Sequence, residues 1–239
     1  MTFPGGTSIS RLTVYTGRCV DGLAGGTPHL HTASTEAYVV TGGTGALQTL
    51  DASGFREIPL EHGSLIWFTP GVIHRAVNHG DLRVLVVMSN AGLPEAGDAV
   101  MTFPPDVLAT PESYAAAAVL PAKDDDAVAR RRDLAVGEFL RLRDAAIRGD
   151  LAPLHAFYDA AARLVRGRIP QWREIWQATV AAQTARTAEM LNNLDAGDGS
   201  HLREGGVLGA PRSETDGWGM CGRLGTHDVR NPDTPGGSQ

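Results

Sequence analysis

From about Ser8 to Asn90 the chain alternates short apolar, β-branched runs with Gly-containing polar breaks. The runs are Ser8–Tyr15, Glu36–Val40, Ala46–Leu50, Ser64–Phe68 and Leu82–Met88. Short strands at close, regular spacing predict an antiparallel sandwich or barrel. The breaks Gly42-Gly43, Asp51-Ala52-Ser53-Gly54, His62-Gly63, Pro70-Gly71 and Asn78-His79-Gly80-Asp81 supply the turn residues that tight connections need. After Pro104-Pro105 the texture changes, and from Pro111 alanine, arginine and leucine replace the β-branched residues.

Between Asp126 and Gly149 the residues Val128, Ala135, Phe139, Leu142 and Ala146 recur at helical intervals and predict an amphipathic helix. Asp150 is placed to cap a second helix carrying Leu154, Phe157, Ala161 and Leu164, ended by Gly167 and Pro170. A third is expected from about Gln171 to Leu194, with Trp172, Trp176, Thr179, Met190 and Leu194 on one side. Residues 197–239 show no sustained period and read as irregular. Trp218, Met220 and Cys221 stand out there as a segment that docks, onto a barrel mouth or a second subunit. The expected organisation is a β-barrel over 1–110, a helical extension over 120–196 and a Gly/Pro-rich tail over 197–239.

Composition narrows the partners. The 239 residues, 42% of them hydrophobic, suffice for a well-buried core. The formal charge of −6 is uneven: residues 1–119 carry 5 basic and 10 acidic side chains, and residues 120–239 carry 16 and 17. Neither half is basic, so no nucleic acid partner is expected, and Arg130-Arg131-Arg132 after Asp124-Asp125-Asp126 reads as a solvated helix face. Cys19 and Cys221 have no paired spacing, so reduced thiols are expected. No signal peptide or membrane span is legible, which makes a cytoplasmic protein the expectation.

The chemistry centres on His29-Leu30-His31, because side chains two apart on a strand share a face and can offer two imidazoles to one ion. Glu36 has the opposite parity, so Thr32-Ala33-Ser34-Thr35 must hold a turn or bulge that resets the register. His74, after Pro70-Gly71, is the fourth candidate. Three imidazoles and a carboxylate suit one divalent transition metal, Fe, Mn, Ni, Zn or Cu, and on a six-coordinate ion leave about two positions open.

Read as His29-x-His31-x4-Glu36-x6-Gly43, residues 26–43 resemble the first cupin motif, and Pro70-Gly71-x2-His74-x3-Asn78 resembles the second. The resemblance covers roughly residues 20–90. It implies a mainly β fold, a metal-centred double-stranded β-helix (jelly-roll) barrel, with His29, His31, Glu36 and His74 as ligands, followed here by the α-helical region. It implies no particular reaction.

Tyr38 shares parity with Glu36 and should face the cavity, as a substrate contact or as barrel filling. Gln48, polar between Leu47 and Leu50, is a second substrate-binding candidate. Asn78 is expected to close a turn, Arg75 to point outward, His62 and His79 to be solvated, and His155, His201 and His227 to lie outside the barrel. Three functions fit. One is a metal-dependent enzyme on a small organic substrate, with oxygenase chemistry ahead. The others are a sugar or sugar-acid isomerase or epimerase, for which no base is evident, and a non-catalytic sensor, against which stands the absence of a helix-turn-helix. A homodimer is expected.

Overall fold

The computed structural model describes residues 3–234. Its strands are β1 (Ser8–Val14), β2 (His29–His31), β3 (Glu36–Asp51), β4 (Gly54–Leu60), β5 (Leu65–Phe68), β6 (Ile73–Met88), β7 (Ala99–Met101), β8 (Gly217–Trp218) and β9 (Gly222–Thr226). They pair antiparallel in the order β4-β3-β6-β1-β9-β8, with β5 on β3 and with β2 joined to both β6 and β7. This is the jelly-roll barrel expected from the alternating pattern, and a helical region follows it.

β3 and β6 are longer than the pattern predicts. Gly42-Gly43 and Asn78–Asp81 are bends inside strands, not connections between them. The two strands pair from Glu36 opposite Met88 to Leu50 opposite Ile73, with register shifts between Val40 and Gly45. Gly43 (φ 71°) and Asp81 (φ 50°) occupy the left-handed region at this kink. A bulge bends and twists a strand without ending its pairing, which lets one ribbon serve two walls of a barrel. Asn78 closes the bend as expected: its Oδ1 accepts from the Gly80 and Leu82 amides at 2.9 and 3.2 Å, and its Nδ2 donates to the Val14 carbonyl at 2.9 Å.

Alternation along these strands separates two cores. Facing inward, Leu12, Tyr38, Leu47, Phe68 and Ala76 fill the barrel. On the outer face, Leu30, Leu50 and Ile73 pack with Phe139, Leu142 and Phe157 of the helices. Burying each such side chain contributes ~1.5–3 kcal/mol, so the helical layer is held to the barrel by a shared apolar interface.

The helices are α1 (Pro111–Ala118), α2 (Asp125–Ile147), α3 (Ala152–Val165), α4 (Ile169–Trp176) and α5 (Ala182–Asp195). α2 matches the expected amphipathic helix and is capped by the Asp124 carboxylate, which accepts from the Ala127 amide at 2.8 Å. The Asp150 carboxylate accepts from the Ala152 amide at 3.1 Å at the entry to α3. Pro170 does not end that helix. It lies in the first turn of α4, where a missing N–H costs nothing. A π-helical turn over Gln177–Ala181 then joins α4 to α5. α1 was not legible from periodicity. A reciprocal cap starts it, in which Ser113 N donates to Thr110 Oγ1 at 3.1 Å and Thr110 N to Ser113 Oγ at 3.2 Å. Among the described residues no helix is long and apolar enough to cross a membrane.

The tail departs from the irregular reading. β9 adds to the side of β1 that β6 leaves open, running from Ser10 opposite Thr226 to Val14 opposite Gly222. An unpaired strand edge is a liability that a returning segment removes. The guanidinium of Arg223 lies 3.9 Å from the Trp218 ring centroid, and the Tyr15 ring stacks on the same indole with centroids 6.5 Å apart. The Trp218–Cys221 segment therefore docks on the barrel of its own chain.

Candidate metal centre

Strand pairing assembles the site. β2 lies beside β6 with His29 directly opposite His74, and the two-residue period puts His31 on the same inward face as His29. Leu30, between them, turns outward into the helix interface. Residues 32–35 form the reset that parity demanded, and Glu36 opens β3 facing inward. All four side chains are buried, and one donor atom from each lies within 4.8 Å of every other. Donors at ~2.0–2.2 Å from one ion stand at most ~4.4 Å apart, so small side-chain movements close the set.

The second nitrogen of each imidazole is already engaged. Nδ1 of His29 meets the Thr27 carbonyl at 2.9 Å, Nδ1 of His74 the Val72 carbonyl at 3.1 Å, and Nδ1 of His31 the Asp98 carboxylate at 2.6 Å. Each contact makes Nδ1 the protonated nitrogen and turns the Nε2 lone pair inward, the usual outer support of metal-binding histidines. Glu36 Oε2 lies 3.1 Å from Nε2 of both His31 and His74. Yet Glu36 Oε2 and His74 Nε2 are buried atoms with no aligned hydrogen-bond partner. Orphaned polar atoms that converge on one point are costly unless something else satisfies them, and a divalent cation fits that need.

Burial opposes the charge on Glu36, but the imidazoles of His74 and His31 outweigh it and hold the carboxyl well below the usual carboxylate range. Burial, reinforced by the neighbouring His74 and His31, pushes His29 well below its ordinary value and keeps it a neutral donor. For His31 burial acts downward too, but the Asp98 hydrogen bond and the Glu36 carboxylate raise it to about 10. A metal taken up at His31 must therefore displace a proton.

The donors His29, His31 and Glu36 open on a cavity of about 210 Å³ that Tyr38 also lines. Tyr38 is thus where parity placed it, its hydroxyl 4.0 Å from Cys221 Sγ, and burial raises it well above its ordinary value. Gln48 is a correction. The bulges at Val40–Gly45 shift the inward face of β3 from even to odd positions, so Leu47 points in and Gln48 points out. Its Nε2 donates to Glu57 Oε2 at 2.8 Å instead.

Arg75 does lie on the outward face, but that face is covered. The side chain is fully buried and paired with Asp21 at 2.5 and 3.2 Å. His62 and His79 are exposed as expected, whereas His227 lines the cavity because β9 carries the chain there. No local pattern along the chain marks Asp98, which reaches His31 from 67 residues away. Cys221 was singled out for docking but not for the cavity it enters.

Residues 19–88 match the family model described as a cupin domain. No curated protein matches the chain. Similar solved structures include Pac13 from Streptomyces, described as a nucleoside dehydratase and solved with uridine, at 16% identity over 41% of this chain and 69% of that one, TM-score 0.31. Another is the capsular polysaccharide assembling protein CapF from Staphylococcus aureus, at 16% identity and TM-score 0.30, where 44% of this chain spans 26% of that one. A third is the sugar 3,4-ketoisomerase QdtA from Thermoanaerobacterium thermosaccharolyticum in complex with TDP, at 17% identity over 38% of this chain and 64% of that one, TM-score 0.31.

Proposed function

Taking the cupin domain of residues 19–88 as the premise, we propose that this protein is a metal-dependent enzyme acting on a small organic molecule, with oxygenase-type chemistry as the leading reaction. The observation that carries the reading is the convergence of three imidazole Nε2 atoms and one carboxylate oxygen beside a cavity large enough for a substrate. A divalent ion held by His29, His31, Glu36 and His74 supplies Lewis acidity and, for Fe, Mn or Cu, redox chemistry with dioxygen. Four protein donors would leave room on a six-coordinate ion for a chelating substrate.

The chain's own residues set the rest. Asp98 and the Thr27 and Val72 carbonyls fix the imidazole orientations. The apolar walls around Tyr38 lower the local dielectric and so strengthen polar contacts at the donors. Isomerisation needs a base beside the substrate; burial keeps the Tyr38 hydroxyl protonated, which leaves Glu95 and His227 as the candidate bases on the cavity wall outside the donor set.

The test is an oxygen electrode with Fe(II)-loaded protein and a panel of small chelating compounds. The expected result is dioxygen uptake that requires both Fe(II) and one compound and is absent in His74→Ala. Turnover that runs equally well without air identifies an isomerase instead. Uptake of metal with no turnover of any compound leaves the sensor reading.

A further inference from the structure

The cavity is built for a narrow class of guest. Its volume of about 210 Å³ is about seven times the ~30 Å³ that one water occupies in the liquid, and it lies below the ~300–1,000 Å³ of pockets for drug-sized ligands. No lysine or arginine is among the residues that line it. Away from the metal donors the walls are largely apolar, with Tyr38, Val86, Met88, Cys221 and Leu224. Outside the donor set the lining also carries Glu95 and His227, the latter with Nδ1 3.5 Å from the Ala210 carbonyl. A phosphate or an extra carboxylate entering here would therefore be desolvated beside a carboxylate and with no lysine or arginine to pair with, which is costly. The Tyr38 hydroxyl is directed at the Cys221 thiol and not at the open space.

Part of this wall comes from far along the chain. Cys221 packs in the barrel core and Leu224 against it, the latter opposite inward-facing Leu12 on β1. The turn that delivers them is held by its backbone. The Gly219 carbonyl accepts from Tyr15 Oη and from an Arg131 Nη, both at 3.0 Å. The carbonyls of Met220 and Cys221 accept from the Thr27 and Tyr15 amides at 2.9 and 3.2 Å. Gly26 leaves the space Cys221 needs, since a Cβ there would stand 2.5 Å from Cys221 Cα. A backbone pinned at this many points presents its side chains as a rigid surface, as a shape-selecting wall requires.

We infer that the site admits a small molecule with an apolar skeleton and no anionic group beyond the metal-chelating oxygen pair itself, and that Cys221 and Leu224, carried by the C-terminal hairpin, set the shape it must have. The inference rests on the metal-centre reading above and adds the substrate class to it.

The test uses the full chain loaded with Co(II), whose visible spectrum reports what joins the metal. Co(II) content is measured first, in the wild type and in His74→Ala. Catechol, tartrate and glucose 6-phosphate are then titrated separately. The expected result is one Co(II) per chain, lost in His74→Ala, with catechol binding at least tenfold tighter than either anion. Leu224→Ala should weaken catechol about tenfold, as loss of a partly buried side chain predicts, with Co(II) content unchanged. Leu224→Lys should reverse the order in favour of tartrate.

Tartrate or glucose 6-phosphate binding the wild type as tightly as catechol overturns the substrate class while leaving the metal centre standing. Catechol affinity unchanged in both Leu224→Ala and Cys221→Ala overturns the role of the hairpin. Failure to take up Co(II), or equal uptake by His74→Ala, overturns the metal reading and this inference with it.

Discussion

Asp98 is a single carboxylate whose removal should be felt across the four candidate metal donors, of which it touches His31. It is fully buried, its Oδ1 accepts a hydrogen bond from His31 Nδ1 at 2.6 Å, and its backbone oxygen accepts from Thr32 N and Oγ1 at 2.9 and 3.0 Å. Asp98→Asn keeps the volume but loses the charge that orients His31 and makes it basic. Metal affinity should fall by ~10–100-fold, the usual cost of losing such a support. Chelator competition measures this, with far-UV circular dichroism confirming an unchanged fold.

Arg75 makes a second argument at the residue scale. A buried guanidinium deprived of its partner costs ~3–5 kcal/mol, so Asp21→Asn should destabilise the protein by about that much at neutral pH. Burial opposes the Asp21 charge, but the Arg75 hydrogen bonds and charge prevail and hold its carboxyl below the ordinary value. A depressed folded-state value stabilises the fold above the unfolded carboxylate range of ~3.9 and loses that contribution as pH falls through the folded value. Urea unfolding between pH 7 and pH 3 should therefore show a steeper acid loss in the wild type than in Asp21→Asn. Parallel curves would show that the pair does not set the acid limb.

At the scale of elements, the paired kink in β3 and β6 decides which side chains face the barrel interior. Gly43 sits there at φ 71°, and a Cβ added to it would lie 2.2 Å from the Asp81 carbonyl oxygen. Gly43→Ala meets both the left-handed backbone cost of ~1–2 kcal/mol and a clash with main chain that cannot rotate away. A loss of at least ~2 kcal/mol in denaturant unfolding is expected. A variant of wild-type stability would show that the bulge can migrate, and with it the inward face of β3. α4 and α5 illustrate the same level differently: Pro170 reads as a stop in isolation but serves as a start once the chain after Val165 has already turned.

For the whole molecule, the outer core joins barrel and helices in one apolar cluster. Phe139 of α2 is fully buried there, its ring centroid 6.3 Å from that of Phe55 on β4. Phe139→Ala should cost ~3–5 kcal/mol, the range for truncating a buried aromatic. Because Leu30 and Ile73 in the same cluster flank His29, His31 and His74, amides of β2 and β6 should lose hydrogen-exchange protection together with those of α2. Helices that melt while barrel amides stay protected would mean the two layers are energetically independent.

What could be read along the chain was whatever depends on neighbours in sequence. Two-residue alternation makes His29 and His31 share a face, a parity conflict forces the reset before Glu36, and helical spacing from Val128 to Ala146 makes α2, because each follows from local dihedral periods. The clustering of His29, His31, Glu36 and His74 was therefore legible by residue type and spacing, and so was the inward side of Tyr38. Other features needed the folded chain, because they depend on which distant segment lies against a given face. A bulge, set by the pairing of β3 with β6, flips Gln48 outward. The 18–25 loop covers Arg75, Asp98 arrives beside His31 from 67 residues away, and β9 closes the open side of β1 to bring Cys221, Leu224 and His227 to the cavity. Local periods fix the side of its strand a residue takes; only long-range packing determines what that side meets.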